Sequence, residues 1–337
     1  MSAARKLLPT IILVVLCVAG FLYAKSEDFF RKQEEQPDKL AAVSVGDVTG
    51  VSIRPKDGEE LALEKRDGGW EMTKPSAIPV SASAVESWIG SYADLPFEKP
   101  VDENPQDLAK YGLGDGAYAV YEVKLADGST RRITVGDILP TANARYVKLS
   151  DQPAVYRLDE SKLQTLSKTQ LDFMNKDVID MEYSKLKSIT YTWKGAMYEI
   201  TKNDASKATY ESDWTVNGKT VKGADIDSAF VKLMFLETDQ LAKPSADVSL
   251  DSPEMTVEIV TEAEGKETRK TYVGKTDGDN VWLAEQGGKW AYAVPSSEAD
   301  AVVEAIDKAL NPPQPSPSPS PSAEPEATPS PSASPAG

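Results

Sequence analysis

Histidine is absent from the 337 residues of this chain. That absence removes Ser-His-Asp and Cys-His catalysis, imidazole metal ligation and the side chain that titrates nearest neutral pH. Cysteine is nearly absent as well. The single one, Cys17, lies inside an apolar run, so the remainder of the chain has no disulfide, thiolate nucleophile or cysteine-based metal site. Basic residues are also short, 37 Lys and Arg against 53 Asp and Glu, for a net charge of −16. Counterion release from nucleic acid and adhesion to anionic lipid both need clustered cations, so neither kind of partner is expected. No cofactor and no metal is expected either.

Long apolar runs are missing too, with one exception. Leu7 to Ala24 (LLPTIILVVLCVAGFLYA) carries no charge and sits between Arg5-Lys6 and Lys25. At ~1.5 Å per residue it reaches ~27 Å, close to the ~30 Å of a bilayer's hydrocarbon core. Lipidation of Cys17 is disfavoured because Val15-Leu16, rather than small residues, precede it. Cleavage after Val18-Ala19-Gly20 is tolerable, but the length suits an uncleaved signal anchor better. Arg5 and Lys6 lie on the short N-terminal side, while the distal flank mixes both signs. Positive-inside bias then keeps the N-terminus cytoplasmic and sends the bulk of the chain outside a cell membrane crossed once.

Beyond a charged stretch, Ser26 to Leu40, the pattern changes to short alternating runs. GVSIRP, ELALEK and GWEMTK are separated by Asp57-Gly58 and Asp67-Gly68-Gly69 and read as strands joined by turns. Pro79 and Ser81 open a helix whose apolar residues, Val85, Trp88, Ile89, Tyr92 and Leu95, recur on one face. Strands resume at AYAVYEVKL, RRITVG, RYVKL and AVYRL, and Asp159 caps a short helix carrying Leu163 and Leu166. The second half repeats this order. LKSITYTW, MYEITK and SDWTVN precede a helix from Gly223 with Ile226, Phe230, Leu233 and Leu241 inward. TVEIVTE, TRKTYVG, NVWLAE and WAYAVP follow, then a helix from Ser296 to Leu310 with Val302, Val303, Ile306 and Leu310.

Trp70 aligns with Trp214, Gly136 with Gly274 and Tyr156 with Tyr292 at nearly constant spacing, which implies two copies of one fold. Connections of hairpin length favour antiparallel pairing, because a parallel crossover needs a dozen residues or more. The expected class is α+β: after one N-terminal transmembrane helix, two tandem antiparallel sheets packed with helices. The division expected is a cytoplasmic stub and anchor at 1–25, a juxtamembrane linker at 26–47 and a first repeat at 48–171. A linker at 172–185, a second repeat at 186–310 and a disordered Pro/Ser-rich tail at 311–337 complete it.

These features resemble the family called domain of unknown function 4340, found as anchored proteins in bacteria. The residues that carry the resemblance are GGWEMTKP, the Val85 helix, DLAKYGLGDG, RRITVGD, RYVKL and AVYRLD, and it extends over Val48 to Leu310. The second copy has Val248-Ser249-Leu250-Asp251-Ser252-Pro253 where the first has Tyr111-Gly112-Leu113, and reads as diverged. The resemblance implies no established reaction. It implies partners among ABC-type transport components related to gliding-motility auxiliary proteins.

Carboxylate pairs are the acid–base machinery left to such a chain. Asp102, Glu103 and Asp107 form one cluster, Asp277 and Asp279 another, and Trp88 or Trp282 would be the ring on which a sugar stacks. With so many acidic residues, solvated loops account for both. Asp277-Gly278-Asp279-Asn280 opens like a calcium loop, but Trp282 and Gly288 stand where Gly and Glu are needed, so a turn between strands is expected. Ser184-Lys185-Leu186-Lys187 has the SxxK spacing without its partner motifs, at the start of a strand. Gly112-Leu113-Gly114-Asp115-Gly116 lacks the GxGxxG spacing and reads as a loop. Trp70 and Trp214 read as core pillars, and Gly136 and Gly274 as positions whose backbone conformation only glycine adopts cheaply.

No catalytic residue is assigned. The function expected is a non-enzymatic, membrane-anchored, extracytoplasmic binding or scaffold protein, accessory to an ABC-type transport system. The alternatives are a spacer embedded in the cell wall, through a tail that spans about 80 Å at ~3.1 Å per residue, and a carboxylate-dependent hydrolase acting through Asp102 and Glu103.

Overall fold

A computed structural model of the chain describes residues 43–96 and 100–312. The anchor at Leu7–Ala24, most of the juxtamembrane linker and residues 313–337 of the tail lie outside the described residues. Among the described residues, no helix is long and apolar enough to cross a membrane. The chain divides into two compact units between Asn175 and Lys176.

The first unit is a seven-stranded sheet. Its strands are β1 (Val48–Pro55), β2 (Leu61–Arg66), β3 (Gly69–Lys74), β4 (Ala119–Leu125), β5 (Thr130–Ile138), β6 (Ala144–Leu149) and β7 (Val155–Asp159). They lie in the order β3-β2-β1-β4-β5-β6-β7, with antiparallel pairing throughout. Alternation along each strand sends Ile53, Leu63, Tyr121, Val123, Ile133 and Leu149 to buried positions while their sequence neighbours are more exposed. Helix α1 (Ala82–Ala93) begins at Ser81, whose hydroxyl accepts the Ala84 N–H at 3.3 Å. It buries Val85, Trp88, Ile89 and Tyr92. Two polar tips on that apolar face find backbone acceptors: Trp88 Nε1 donates to the Leu166 carbonyl at 2.9 Å and the Tyr92 hydroxyl to the Arg131 carbonyl at 2.8 Å. Burying such aromatic side chains without those acceptors would strand a donor in an apolar setting.

Helix α2 (Glu160–Leu166) follows β7 directly, with Leu163 and Leu166 buried. Asp159 stands at its N-cap position, but its side chain makes no capping hydrogen bond. The stretch expected as linker, 172–185, is packed along much of its length. Helix α3 (Gln170–Phe173) starts with a capping box in which the Asp172 carboxylate accepts from both the N–H and the hydroxyl of Thr169 at 2.7 Å. Phe173 and Met174 are buried and Met174 pairs with Val80. Val178, Ile179 and Met181 belong to the core of the second unit.

The second unit is a nine-stranded sheet: β8 (Leu186–Trp193), β9 (Ala196–Lys202), β10 (Trp214–Val216), β11 (Lys219–Val221), β12 (Lys243–Pro244), β13 (Met255–Ala263), β14 (Lys266–Asp277), β15 (Asn280–Glu285) and β16 (Trp290–Pro295). The order is β11-β10-β9-β8-β13-β14-β15-β16-β12. Helix α4 (Gly223–Met234) buries Ile226, Phe230 and Leu233, and α5 (Ser296–Leu310) buries Val302 and Ile306. Phe230 packs on Trp214 with ring centroids 4.7 Å apart, and Tyr191 donates its hydroxyl to the Ala299 carbonyl at 2.9 Å. Leu241 was expected inward on the first of these helices. The helix ends at Met234, and Leu241 lies beyond it, 38% exposed.

The strand orders of the two units superpose. β3-β2-β1-β4-β5-β6-β7 maps onto β10-β9-β8-β13-β14-β15-β16, with α1 and α4 each between the same two strands of the sequence order. The second sheet carries two extra strands, β11 at one edge and β12 at the other.

Candidate functional site

A ligand-sized pocket of the first unit lies where β1 ends, β4 begins and α2 gives way to α3. It is a cavity of about 340 Å³ with Ile53, Pro55, Ala119 and the Tyr118 ring as its apolar wall. Lys56, Asp57, Lys168, Ser167, Thr169 and the Tyr121 phenol supply the polar side. Tyr121 and Ser167 share a hydrogen bond of 3.0 Å. Burial pushes the Tyr121 phenol above its ordinary value, so it stays protonated and can donate. Beside this wall the Arg145 guanidinium stacks on the Tyr118 ring at 3.5 Å, and its Nε donates to Glu160 at 2.9 Å. Arg145 is thereby fixed, which in turn fixes Tyr118 although that ring is 41% exposed. A small volume with an apolar wall and a few convergent polar groups suits ligand retention. No motif in the sequence marks this cavity, because its residues come from three separated segments.

The acidic candidates take other roles. Asp102 accepts the Tyr111 hydroxyl at 2.6 Å and Lys110 Nζ at 3.4 Å, and pairs through its backbone with Val155. The Tyr111 hydrogen bond above all holds its carboxyl below the ordinary value, which makes it a poor proton donor. Asp107 accepts the Ala109 N–H at 2.8 Å, and Glu103 is exposed. Asp277 ends β14 opposite Asn280, and Asp279 lies with Gly278 (φ +62°) in the two-residue turn between them. Among the described residues, no group of three or more Asp, Glu, His or Cys is arranged to hold a metal ion.

The Lys110-Tyr111-Gly112-Leu113 element instead closes the reverse face of the first sheet. Tyr111 and Leu113 cover Val155 and, with rings 4.9 Å apart, Tyr146. Gly112 adopts φ +69° at the end of a single 3₁₀ turn, and a side chain there would strike Asp137. Gly136 and Gly274 correct the expectation made for them, since neither has positive φ. Space is the constraint: a Cβ on Gly136 would stand 2.0 Å from the Tyr111 carbonyl oxygen, and one on Gly274 2.8 Å from Val281 Cγ1. The second unit has a structural counterpart of this element. Residues 243–253 supply β12, a 3₁₀ turn and then Val248 and Leu250, which cover Trp282, Ala284, Ala291 and Ala293 on the reverse face.

The remaining candidates resolve similarly. Lys187 of the SxxK stretch is gripped by Glu262 at 2.6 Å and Glu267 at 2.5 Å, and the strand begins at Leu186. Trp88 is only 1% exposed, inside the core, and Trp282 lies under Lys243 Nζ, 4.1 Å from its ring. Trp88 therefore offers no face to a sugar, whereas Trp282 and Asp277 line one shallow pocket of about 260 Å³ with Lys243 and Lys275. Trp70 and Trp214 are buried as expected of core pillars.

Two antiparallel α+β units of matching strand order, with a ligand-sized cavity in the first, define the class of protein. The chain belongs to the family described as Domain of unknown function (DUF4340), whose model matches residues 70–238. That match starts at Trp70 in β3 and runs past the division between the units to Thr238. Comparison with curated proteins and with solved structures returns no match.

Proposed function

We propose that the protein is a non-enzymatic binding or scaffold protein, held at the cell membrane by Leu7–Ala24 with its two units outside, and accessory to an ABC-type transport system. The observation that carries the binding part is the cavity bounded by Lys56, Tyr118, Tyr121, Ser167 and Lys168, which has the size and mixed lining of a retention site. The engagement of Asp102, Asp107 and Lys187 in structural contacts supports a non-catalytic reading. The matching strand orders support an origin of the two units by duplication. The transport association rests on the family resemblance, and the anchoring on the length and flanking charge of the apolar run.

Purification of the full chain in mild detergent tests this. Co-purification of a membrane permease and its ATPase is the expected result, and recovery of no transport component would overturn the accessory role. The composition of Pro312–Gly337 favours a second reading, a spacer reaching into the cell wall. Retention of the full chain by purified wall, lost on deleting that segment, would distinguish it.

A further inference from the structure

The edges of the two sheets differ in a way that points to a partner. In the second unit β10 is covered on its outer side by β11, with Trp214 opposite Val221, Thr215 opposite Thr220 and Val216 opposite Lys219. Residues 217 and 218 form a two-residue turn, so Val216 and Trp214 are the residues that exchange backbone hydrogen bonds with β11. In the first unit β3 is the equivalent strand and ends the sheet. It too leaves a two-residue turn, with Gly69 opposite Arg66, Trp70 opposite Lys65, Glu71 opposite Glu64 and Met72 opposite Leu63. Gly69 and Glu71 therefore bond to β2, while the N–H and C=O groups of Trp70 and Met72 point outward. Among the described residues these four groups have no hydrogen-bond partner.

A second, independent observation marks the same edge. The indole N–H of Trp214 donates to the Thr209 carbonyl at 2.9 Å, in the long connection between β9 and β10. The corresponding connection in the first unit is only Asp67-Gly68, and Trp70 Nε1 is buried with no hydrogen-bond partner. Buried donors with no partner are rare in native structures.

We propose that the β3 edge of the first unit is a strand-addition site for an extended segment of a partner polypeptide. The partner runs antiparallel to β3, takes backbone hydrogen bonds at Trp70 and Met72 and sets a β-branched apolar residue opposite Trp70, as β11 sets Val221 opposite Trp214. Recognition is by backbone and shape rather than net charge, because the charged side chains of β3 itself are already paired. Arg66 lies 3.2 Å from Glu71, and Lys74 lies 2.6 Å from Glu60. Such β-augmentation is a recurring route of peptide recognition, and it suits a scaffold. The site is distinct from the cavity and does not depend on the transport association.

Hydrogen exchange on the full chain, read by mass spectrometry, tests it with the peptide GKTVKG, the sequence of Gly218–Gly223. At about ten times Kd, exchange at Trp70 and Met72 is expected to slow roughly tenfold, with the rest of the first unit unchanged. The same peptide N-methylated at its first lysine and its valine, the residues that bond to the edge, is expected to lose that protection. Unchanged exchange at millimolar peptide, or equal protection by the methylated peptide, would overturn the proposal. So would protection that rises with protein concentration in the absence of peptide, which would identify pairing of two β3 edges instead. A failed co-purification of transport components would leave this result untouched.

Discussion

The carbonyl oxygen of Tyr111 lies 2.0 Å from where a Cβ on Gly136 would stand, so the loop carrying Lys110-Tyr111-Gly112-Leu113 rests directly on the backbone of β5. The fit joins the loop to a strand 25 residues further along the chain, buries Val155 and partly covers Tyr146 on the reverse face of the sheet.

Replacing Gly136 by alanine should therefore lift that loop from the sheet. A backbone oxygen cannot yield as a flexible side chain does, and overpacking of this kind costs about 1–3 kcal/mol or more. Chemical denaturation followed by tryptophan fluorescence should show the first unit losing stability. Its midpoint at the wild-type value would mean that the loop does not rest there.

Gly90 is expected to behave in the opposite way. It sits inside α1, and a Cβ built on it meets nothing within 4 Å. Gly90→Ala should stabilise the first unit by roughly 0.5–1 kcal/mol through helix propensity and a less flexible unfolded chain. The same denaturation measurement reads it.

Acid should weaken the fold through a defined set of carboxylates. Glu60, Asp102, Asp127, Asp204, Glu267 and Asp300 are all held below their ordinary values, chiefly by side-chain hydrogen bonds from Lys74, Tyr111, Ser129, Ser206, Lys187 and Trp193 respectively. A depressed folded-state pKa contributes stability that is present above the unfolded value and lost as pH falls through the folded one. Stability should thus decline below the ordinary carboxylate range. In Tyr111→Phe the Asp102 pKa should move up, which carboxyl titration by NMR would detect. An unmoved Asp102 would show that the hydroxyl at 2.6 Å is not its main support.

The alkaline limb should be set by buried tyrosines. Burial pushes Tyr272 and Tyr292 up to about 12 from an ordinary 10.0, and raises Tyr92, Tyr121 and Tyr191 as well. The unfolded chain ionises first, so the stability these phenols contribute is full below about pH 10 and falls as pH rises towards their folded values. Tyrosinate absorbance should show a late fraction that ionises together with loss of tertiary structure.

Much of the fold is legible in the sequence because it is local. Period-2 runs such as GVSIRP and TVEIVTE become β1 and β13, the spacing of Val85, Trp88, Ile89 and Tyr92 becomes the buried face of α1, and the Asp-Gly turns force neighbouring strands to be antiparallel. The absence of histidine and the lone Cys17 exclude imidazole and disulfide chemistry by composition alone. Tertiary structure alone decided the rest, because it depends on what long-range contacts bring together. A conformational reading of Gly136 gave way to a steric one only when Tyr111 arrived above it. The apparent gap at Val248–Pro253 closed when those residues were seen covering Trp282. The cavity at Tyr121 and Ser167 has no sequence signature, and two tryptophans in equivalent strands look alike in sequence. Only the folded neighbourhood shows that Trp214 has a carbonyl for its indole and Trp70 has none.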